Sequence, residues 1–174
     1  YTGEKCIQFA GHIKGNGFTV QANLMASDKV WPEMAKAFEN SEGPLAERMI
    51  KTFEAAESVG GDIRGKQSAA IMVFKTTSTG KPWEDKLIDL RVEDHPDPIN
   101  ELKRVLKVHR AYEHMNKGDL AVEHGDMKKA KEEYSAAEKM FPQNEEMRYW
   151  HALTLANHGE LKKALPMFKK IFKH

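Results

Sequence analysis

The sequence predicts an α+β fold followed by an all-α helical tail, and three observations carry that reading. Before about residue 96, short segments alternate apolar and polar residues between glycine-rich turns. Between them, other segments repeat apolar residues every four positions, the spacing of one helical face. From about residue 111, a run of residues recurs 34 positions later. The organisation expected is an α+β portion over 1–96, a connecting helix over 97–110 and a repeat segment over 111–174.

The first strands are expected at Cys6 to Ala10 and Phe18 to Leu24, with the glycines of 11–17 forming the turn. In the second, Phe18, Val20, Ala22 and Leu24 share an apolar face. Ser27 or Asp28 can cap a helix carrying Val30, Met34 and Phe38. Pro44 suits a first helical position, and Leu45, Met49, Phe53 and Ile50 form the next stripe, ended by Gly60-Gly61. The nearly continuous apolar run Ser68 to Phe74 reads as a strand buried on both faces. Thr76 to Pro82 reads as a polar turn. In the strand Lys86 to Val92, Ile88, Leu90 and Val92 face opposite Leu87, Asp89 and Arg91. Asp97-Pro98 starts a long helix. Four strands with two helices make a thin core, so the sheet calls for completion by other polypeptide, and an oligomer or companion chain is expected.

In the tail, His124-Gly125-Asp126-Met127-Lys128-Lys129-Ala130 aligns with His158-Gly159-Glu160-Leu161-Lys162-Lys163-Ala164. Tyr134 pairs with Phe168 and Ala121 with Leu155. A 34-residue period is that of tetratricopeptide (TPR) repeats. Gly118 and Ala130 are small enough to let paired helices approach, Tyr134 and Phe168 fill between neighbours, and Pro142 ends a helix. Asn144 then caps the next, with Glu145 and Glu146 at its positive end. The segment departs from the pattern at His114 and Lys117, and Pro166 is expected to kink or delay the last helix. Such a tail either binds a peptide or partner protein in a groove or serves as a stabilising cap or dimerisation surface.

Composition narrows the function classes. Of 174 residues, 40% are hydrophobic and 30% charged, the balance of a globular chain. A net charge of +1 provides no field for nucleic acid or anionic membranes, and no apolar run reaches the roughly 20 residues of a membrane helix. The single cysteine, Cys6, excludes an internal disulfide and fits a reducing compartment such as the cytoplasm without requiring one. Eight histidines are scattered: His109 and His114 fall off one helical face, His124 and His158 are repeat-equivalent turn positions, and His95 lacks a second ligand. No metal site and no cofactor are expected.

Two stretches suggest a site. Between a helix end and a strand, Gly61, Asp62, Arg64, Gln67 and Ser68 converge; glycine-rich backbone can turn N–H groups toward an anion and Arg64 can grip a carboxylate. The alternative is a tight turn closed by Asp62 and Arg64. At the end of the fourth strand, Arg91, Asp94 and His95 can form a polar cluster with His95 as acid or base. The alternative there is an Asp89–Arg91 pair on the sheet and a helix start at Asp97-Pro98.

Three stretches carry a family resemblance: residues 17–24 (GFTVQANL), 60–70 (GGDIRGKQSAA) and 89–95 (DLRVEDH). They resemble the domain of unknown function 1028 family, over about residues 1–110, usually placed with the N-terminal-nucleophile (Ntn) hydrolases. The resemblance implies the C-terminal half of a four-layer αββα sandwich and an amide-hydrolysing ancestor. In that chemistry the first residue of the mature chain supplies hydroxyl nucleophile and amine base, and backbone N–H groups or an Asn side chain stabilise the oxyanion. Asn23 is the candidate for the latter. Residues 1–174 do not include the family's N-terminal half, so the resemblance implies a nucleophile outside them; Tyr1 is not expected to be the nucleophile, and Thr2 would serve only with Tyr1 removed. The chain, opening Tyr1-Thr2-Gly3 without methionine, is expected to be a fragment or processed product, which leaves secretion open.

Overall fold

In the computed structural model, residues 2–172 are described, and they divide into two units, with the boundary between Arg104 and Val105. The first is α+β, in the order β1 (Gly11–Lys14), β2 (Thr19–Ala22), α1 (Val30–Glu39), α2 (Leu45–Ser58), β3 (Ala69–Phe74), α3 (Pro82–Asp85) and β4 (Lys86–Val92), leading into α4 (Pro98–Glu123). The second holds the rest of α4 with α5 (Met127–Met140), α6 (Glu145–Asn157) and α7 (Leu161–Ile171).

The four strands make two separate antiparallel pairs rather than one sheet, β1 with β2 and β3 with β4. The first strand is displaced from its expected place: Gly11–Lys14 pairs with Thr19–Ala22, and residues 6–10 are turn and bend. The closing turn is only Gly15 to Phe18, where the Gly15 N–H donates to the Phe18 carbonyl at 3.0 Å. A tight hairpin places its strand directly against the turn, and Gly-His-Ile-Lys has a single large apolar residue by which to announce itself. β2 buries Val20 and Ala22, and α1 packs on both strands. The helix starts at Val30 without a side-chain cap; the Ser27 hydroxyl donates instead to the Val59 carbonyl at 3.0 Å.

α2 is turned only part-way from the face its spacing suggests, with Met49 and Phe53 of that stripe half-buried. Ala46 and Ile50 are buried, whereas Leu45 is exposed. Arg48 fixes this rotation: its guanidinium lies 4.0 Å from the Phe38 ring centroid and donates to the Phe38 carbonyl at 2.9 Å. Pro44 is extended at the N-cap, one position before the helix.

β3 is buried on one face only. Ile71 is 1% exposed, while Met72 and Phe74 are 43% and 50% exposed. An apolar run long enough for a two-faced strand therefore presents one face outward. On β4, Ile88 and Val92 turn inward and Leu87 outward, as the alternation requires. α2 packs on β3, and Lys103 on α4 reaches Glu54 on α2 at 2.6 Å. The connection before β4 is more ordered than a polar turn. Asp85 closes it by accepting from the Thr79 hydroxyl and backbone N–H and from the Ser78 hydroxyl, which together lower its pKa below the usual carboxylate value.

In the second unit, Ala111, Met115, Ala121, Ala130, Tyr134, Ala137 and Met147 form one buried cluster. Asp126 and Asn144 cap α5 and α6 by accepting the Lys129 and Met147 N–H groups. Positions 34 apart behave alike: Ala130 and Ala164 are both 0% exposed, Ala121 and Leu155 both 5%. α4 and α6 also end alike. Gly125 and Gly159 have positive φ, and the paired bonds Gly125 N–H to Val122, Asp126 N–H to Ala121, Gly159 N–H to Ala156 and Glu160 N–H to Leu155 form the same C-terminal motif twice. α7 continues through Pro166. That residue is exposed, so water can satisfy the carbonyl whose donor the proline ring removes. No helix among the described residues is long and apolar enough to cross a membrane.

Candidate functional site

The site begins where α2 stops. Gly60 N–H donates to the Glu57 carbonyl at 3.1 Å and Gly61 N–H to the Ala56 carbonyl at 3.0 Å. Gly60 and Gly61 have φ of 115° and 56°, which L side chains rarely adopt. The reversed chain is stitched to the segment after β2: Ala26 N–H donates to the Gly61 carbonyl and Ile63 N–H to the Leu24 carbonyl, both at 2.9 Å. Leu24 is itself held at φ 62°, a rare conformation for a branched residue, with its N–H bound to the Asn23 Oδ1 at 2.9 Å. Asn23 is thus committed through its carbonyl oxygen to shaping the backbone beside the loop.

From there the loop opens a polar cleft of about 720 Å³, lined by Glu57, Asp62, Arg64, Gly65, Lys66, Gln67, Ser68, Asp94, Pro98 and Ile99. Four of the predicted binding side chains, Asp62, Arg64, Gln67 and Ser68, meet here, and Asp94 joins them from the end of β4. Gly61 stands at the cleft's root as the bend.

Charges within the cleft are largely matched in pairs. Arg64 folds back on Asp62 in a two-pronged contact, Nε to Oδ1 at 3.0 Å and NH2 to Oδ2 at 2.6 Å. That contact holds the Asp62 carboxyl below the usual range and raises the Arg64 guanidinium. Lys66 lies 2.7 Å from Glu57, which raises its pKa. The Gln67, Ser68 and Asp94 side chains have no hydrogen-bond partner among the described residues and face the cleft. Together they present an amide, a hydroxyl and a carboxylate, while Arg64 and Lys66 in the same cleft are each paired with a carboxylate.

His95 stands in the wall rather than the lining. Its N–H donates to the Gln67 carbonyl at 2.9 Å, and its Nδ1 accepts from the Asp97 N–H at 3.0 Å. In the neutral ring the proton is therefore on Nε2, and His95 presents a donor, not a base. Arg91 lies apart from the cleft on the exposed face of β4, its Nε 3.0 Å from Asp89 Oδ1. Thr2 is not in the lining either; its Oγ1 lies 2.7 Å from Nδ1 of His12 on β1. Tyr1 lies outside the described residues. Sequence reading missed His12, since nothing in spacing links residues 2 and 12. It also missed Lys66 and Glu57, which the helix–loop spacing could have paired. Among the described residues, no group of three His, Cys, Asp or Glu side chains could hold a metal ion.

An α+β domain with a polar cleft at a glycine-bent helix-to-strand loop is the class of protein these features define. The chain belongs to the family of unknown function DUF1028, whose model matches residues 1–102. A crystal structure of protein SPO2555 from Silicibacter pomeroyi, of the same family, is similar with a TM-score of 0.50 at 22% identity. The similarity covers 62% of this chain and 43% of that one, so the chain spans less than half the length of that relative. No curated protein matches the chain.

Proposed function

We propose that these residues are the C-terminal part of an Ntn-type, amidohydrolase-like protein. The nucleophile lies on polypeptide outside residues 1–174, either an N-terminal segment or a companion chain. The α+β unit then contributes half of an αββα sandwich and one wall of the substrate cleft, with Gln67, Ser68 and Asp94 positioning an amide-bearing substrate. Residues 111–174 form a TPR-like tail that binds a partner protein.

The observation that carries this reading is the outward face of the β3–β4 pair. Met72, Phe74 and Leu87 are 43%, 50% and 48% exposed on neighbouring positions. α2 covers the inner face of this ribbon, whereas the outer face leaves these three apolar side chains beside Lys86, Asp89 and Arg91, and the second sheet of a sandwich covers such an outer face. A second reading, a binding or scaffold protein that keeps the fold without the chemistry, is favoured by Arg64, whose fork is closed on Asp62 and withdrawn from a ligand.

Intact-mass analysis of the protein purified from its native source tests both. A co-purifying segment beginning with Thr, Ser or Cys is expected, and Met72→Glu with Phe74→Glu should abolish its retention while leaving the helical circular dichroism intact. Residues 1–174 alone should release no amine from amide substrates. A native precursor without any such residue at its mature start removes the enzymatic reading and leaves the scaffold.

A further inference from the structure

α7 has one face settled and one open. Ala164 is buried against the neighbouring helix, whereas Leu161, Leu165 and Phe172 are 55%, 53% and 69% exposed. With Phe168 they recur at i, i+4, i+7 and i+11, a single stripe along the helix. Leu165, Phe168, Lys169 and Phe172 line a groove of about 420 Å³. Its floor is ordered by aromatic contacts: Phe168 meets Tyr149 edge-on at 5.9 Å and stacks with Phe172 at 6.4 Å.

The same face one period earlier indicates what such a surface receives. The residues 34 positions before Leu161, Leu165, Phe168 and Phe172 are Met127, Lys131, Tyr134 and Glu138 on α5. There a helix, α6, is seated. His151 stacks on Tyr134 at 6.2 Å and lies 3.0 Å from Glu138, Arg148 lies 3.6 Å from Glu138, and Tyr134 is left 2% exposed. The stripe on α7 is thus a helix seat, and its chemistry differs from that of α5. It is apolar, and at about 100° per residue Lys162 and Lys169 fall along one edge of it. Neither lysine has a carboxylate partner among the described residues. Symmetric pairing with α7 of a second copy would bring these lysines toward each other, which like-charge repulsion opposes.

We propose that α7 docks an amphipathic helix of a partner protein, with Leu, Ile or Phe residues filling the stripe and an Asp/Glu edge meeting Lys162 and Lys169. This deepens, and rests on, the reading of residues 111–174 as an interaction tail.

Calorimetric titration of the full chain tests it, using a synthetic helical peptide of about five turns with a leucine stripe and a glutamate edge. The matching peptide with a lysine edge is the control. The acidic peptide should bind at least roughly tenfold tighter, a difference of about 1.4 kcal/mol. Leu165→Glu and Phe172→Glu should each lose at least about tenfold, and Lys169→Glu should shift the preference toward the basic peptide. Both stripe residues are exposed, so unchanged circular dichroism is expected in all three variants. Equal binding of the two peptides, or none, overturns the proposal. Acidic-peptide binding that survives Leu165→Glu and Phe172→Glu overturns this seat while leaving the tail's interaction role standing. A dimer in sedimentation that Leu165→Glu dissolves makes a second copy the occupant, which also overturns it.

Discussion

Replacing Ile71 with alanine should destabilise the α+β unit by about 3 kcal/mol, whereas Met72→Ala, one residue along the same strand, should change stability by less than about 0.5 kcal/mol. Ile71 is 1% exposed and lies opposite Leu90, with Val73–Ile88 and Ala69–Val92 flanking it on the same face. Truncation removes buried methylene and methyl groups and leaves a cavity that a two-stranded ribbon under a helix can only partly close. Met72 lies opposite Asp89 on the outward face and is 43% exposed. A small unit buries a modest share of its surface, so a loss of this size takes much of its stability. Because the chain has two units, a single melting curve would mix two transitions. Hydrogen exchange of the β3 and β4 amides isolates the relevant one: protection should fall strongly in Ile71→Ala and little in Met72→Ala. Equal losses would mean that the outward face is already covered in solution. Once bound companion polypeptide is present, Met72→Ala should become costly, and that reversal distinguishes a covered face from a bare one.

What the sequence revealed and what it hid follow from the range of the interactions. The cap at Asn144, the bend at Gly60-Gly61 and the recurrence at 34 residues are local rules, legible from a few neighbouring letters, and the Asp126 cap, which sequence reading missed, obeys the same rule. Of the two readings offered for the Gly61–Ser68 loop, the turn closed by Asp62 and Arg64 is the one that forms; the loop also lines a cleft, but the Arg64 fork is closed on Asp62 rather than held open for a carboxylate. Other features depend on partners far along the chain. The rotation of α2 depends on Arg48 finding Phe38, and the shifted β1 on a hairpin whose inward residue is one isoleucine. The two faces of β3 look identical as letters, since Ile71 and Met72 are both apolar; only the placement of α2 tells which is buried. His95 read as an acid or base by residue type alone, whereas the Asp97 N–H on Nδ1 limits the neutral ring to donation. The Thr2–His12 pair had no signature in spacing at all.

Tyr134→Ala should be the most damaging single change in the second unit, about 4 kcal/mol, and should reverse the effect of altering Gly118. Tyr134 is 2% exposed, and its hydroxyl donates to Asp119 Oδ1 at 2.6 Å. A Cβ placed on Gly118 would lie 2.7 Å from Tyr134 Cε1 and 2.9 Å from Cδ1. A ring pinned at its hydroxyl and stacked against His151 has little room to retreat. Gly118→Ala therefore sets an overpacking cost of roughly 1–3 kcal/mol against a helix-propensity gain of about 1 kcal/mol, for a net loss of about 1 kcal/mol. With Tyr134→Ala already in place the clash is gone, and Gly118→Ala should stabilise by up to about 1 kcal/mol. The double-mutant cycle should thus show coupling of about 2 kcal/mol, read by denaturant titration of the helical signal; independent effects would mean that the helices do not approach closely at Gly118. The hydroxyl has its own signature. Burial foremost, and the bond to Asp119, push its pKa from 10.0 up to about 12. A pKa raised on folding means stability that is fully present below pH about 10 and lost as pH rises toward 12. Tyr134→Phe should cost about 1 kcal/mol at neutral pH through the lost hydrogen bond, and the gap between the two proteins should narrow across that alkaline window. A gap that stays constant from neutral pH to 12 would show that the phenol does not ionise against the buried environment that Gly118 and α6 build around it.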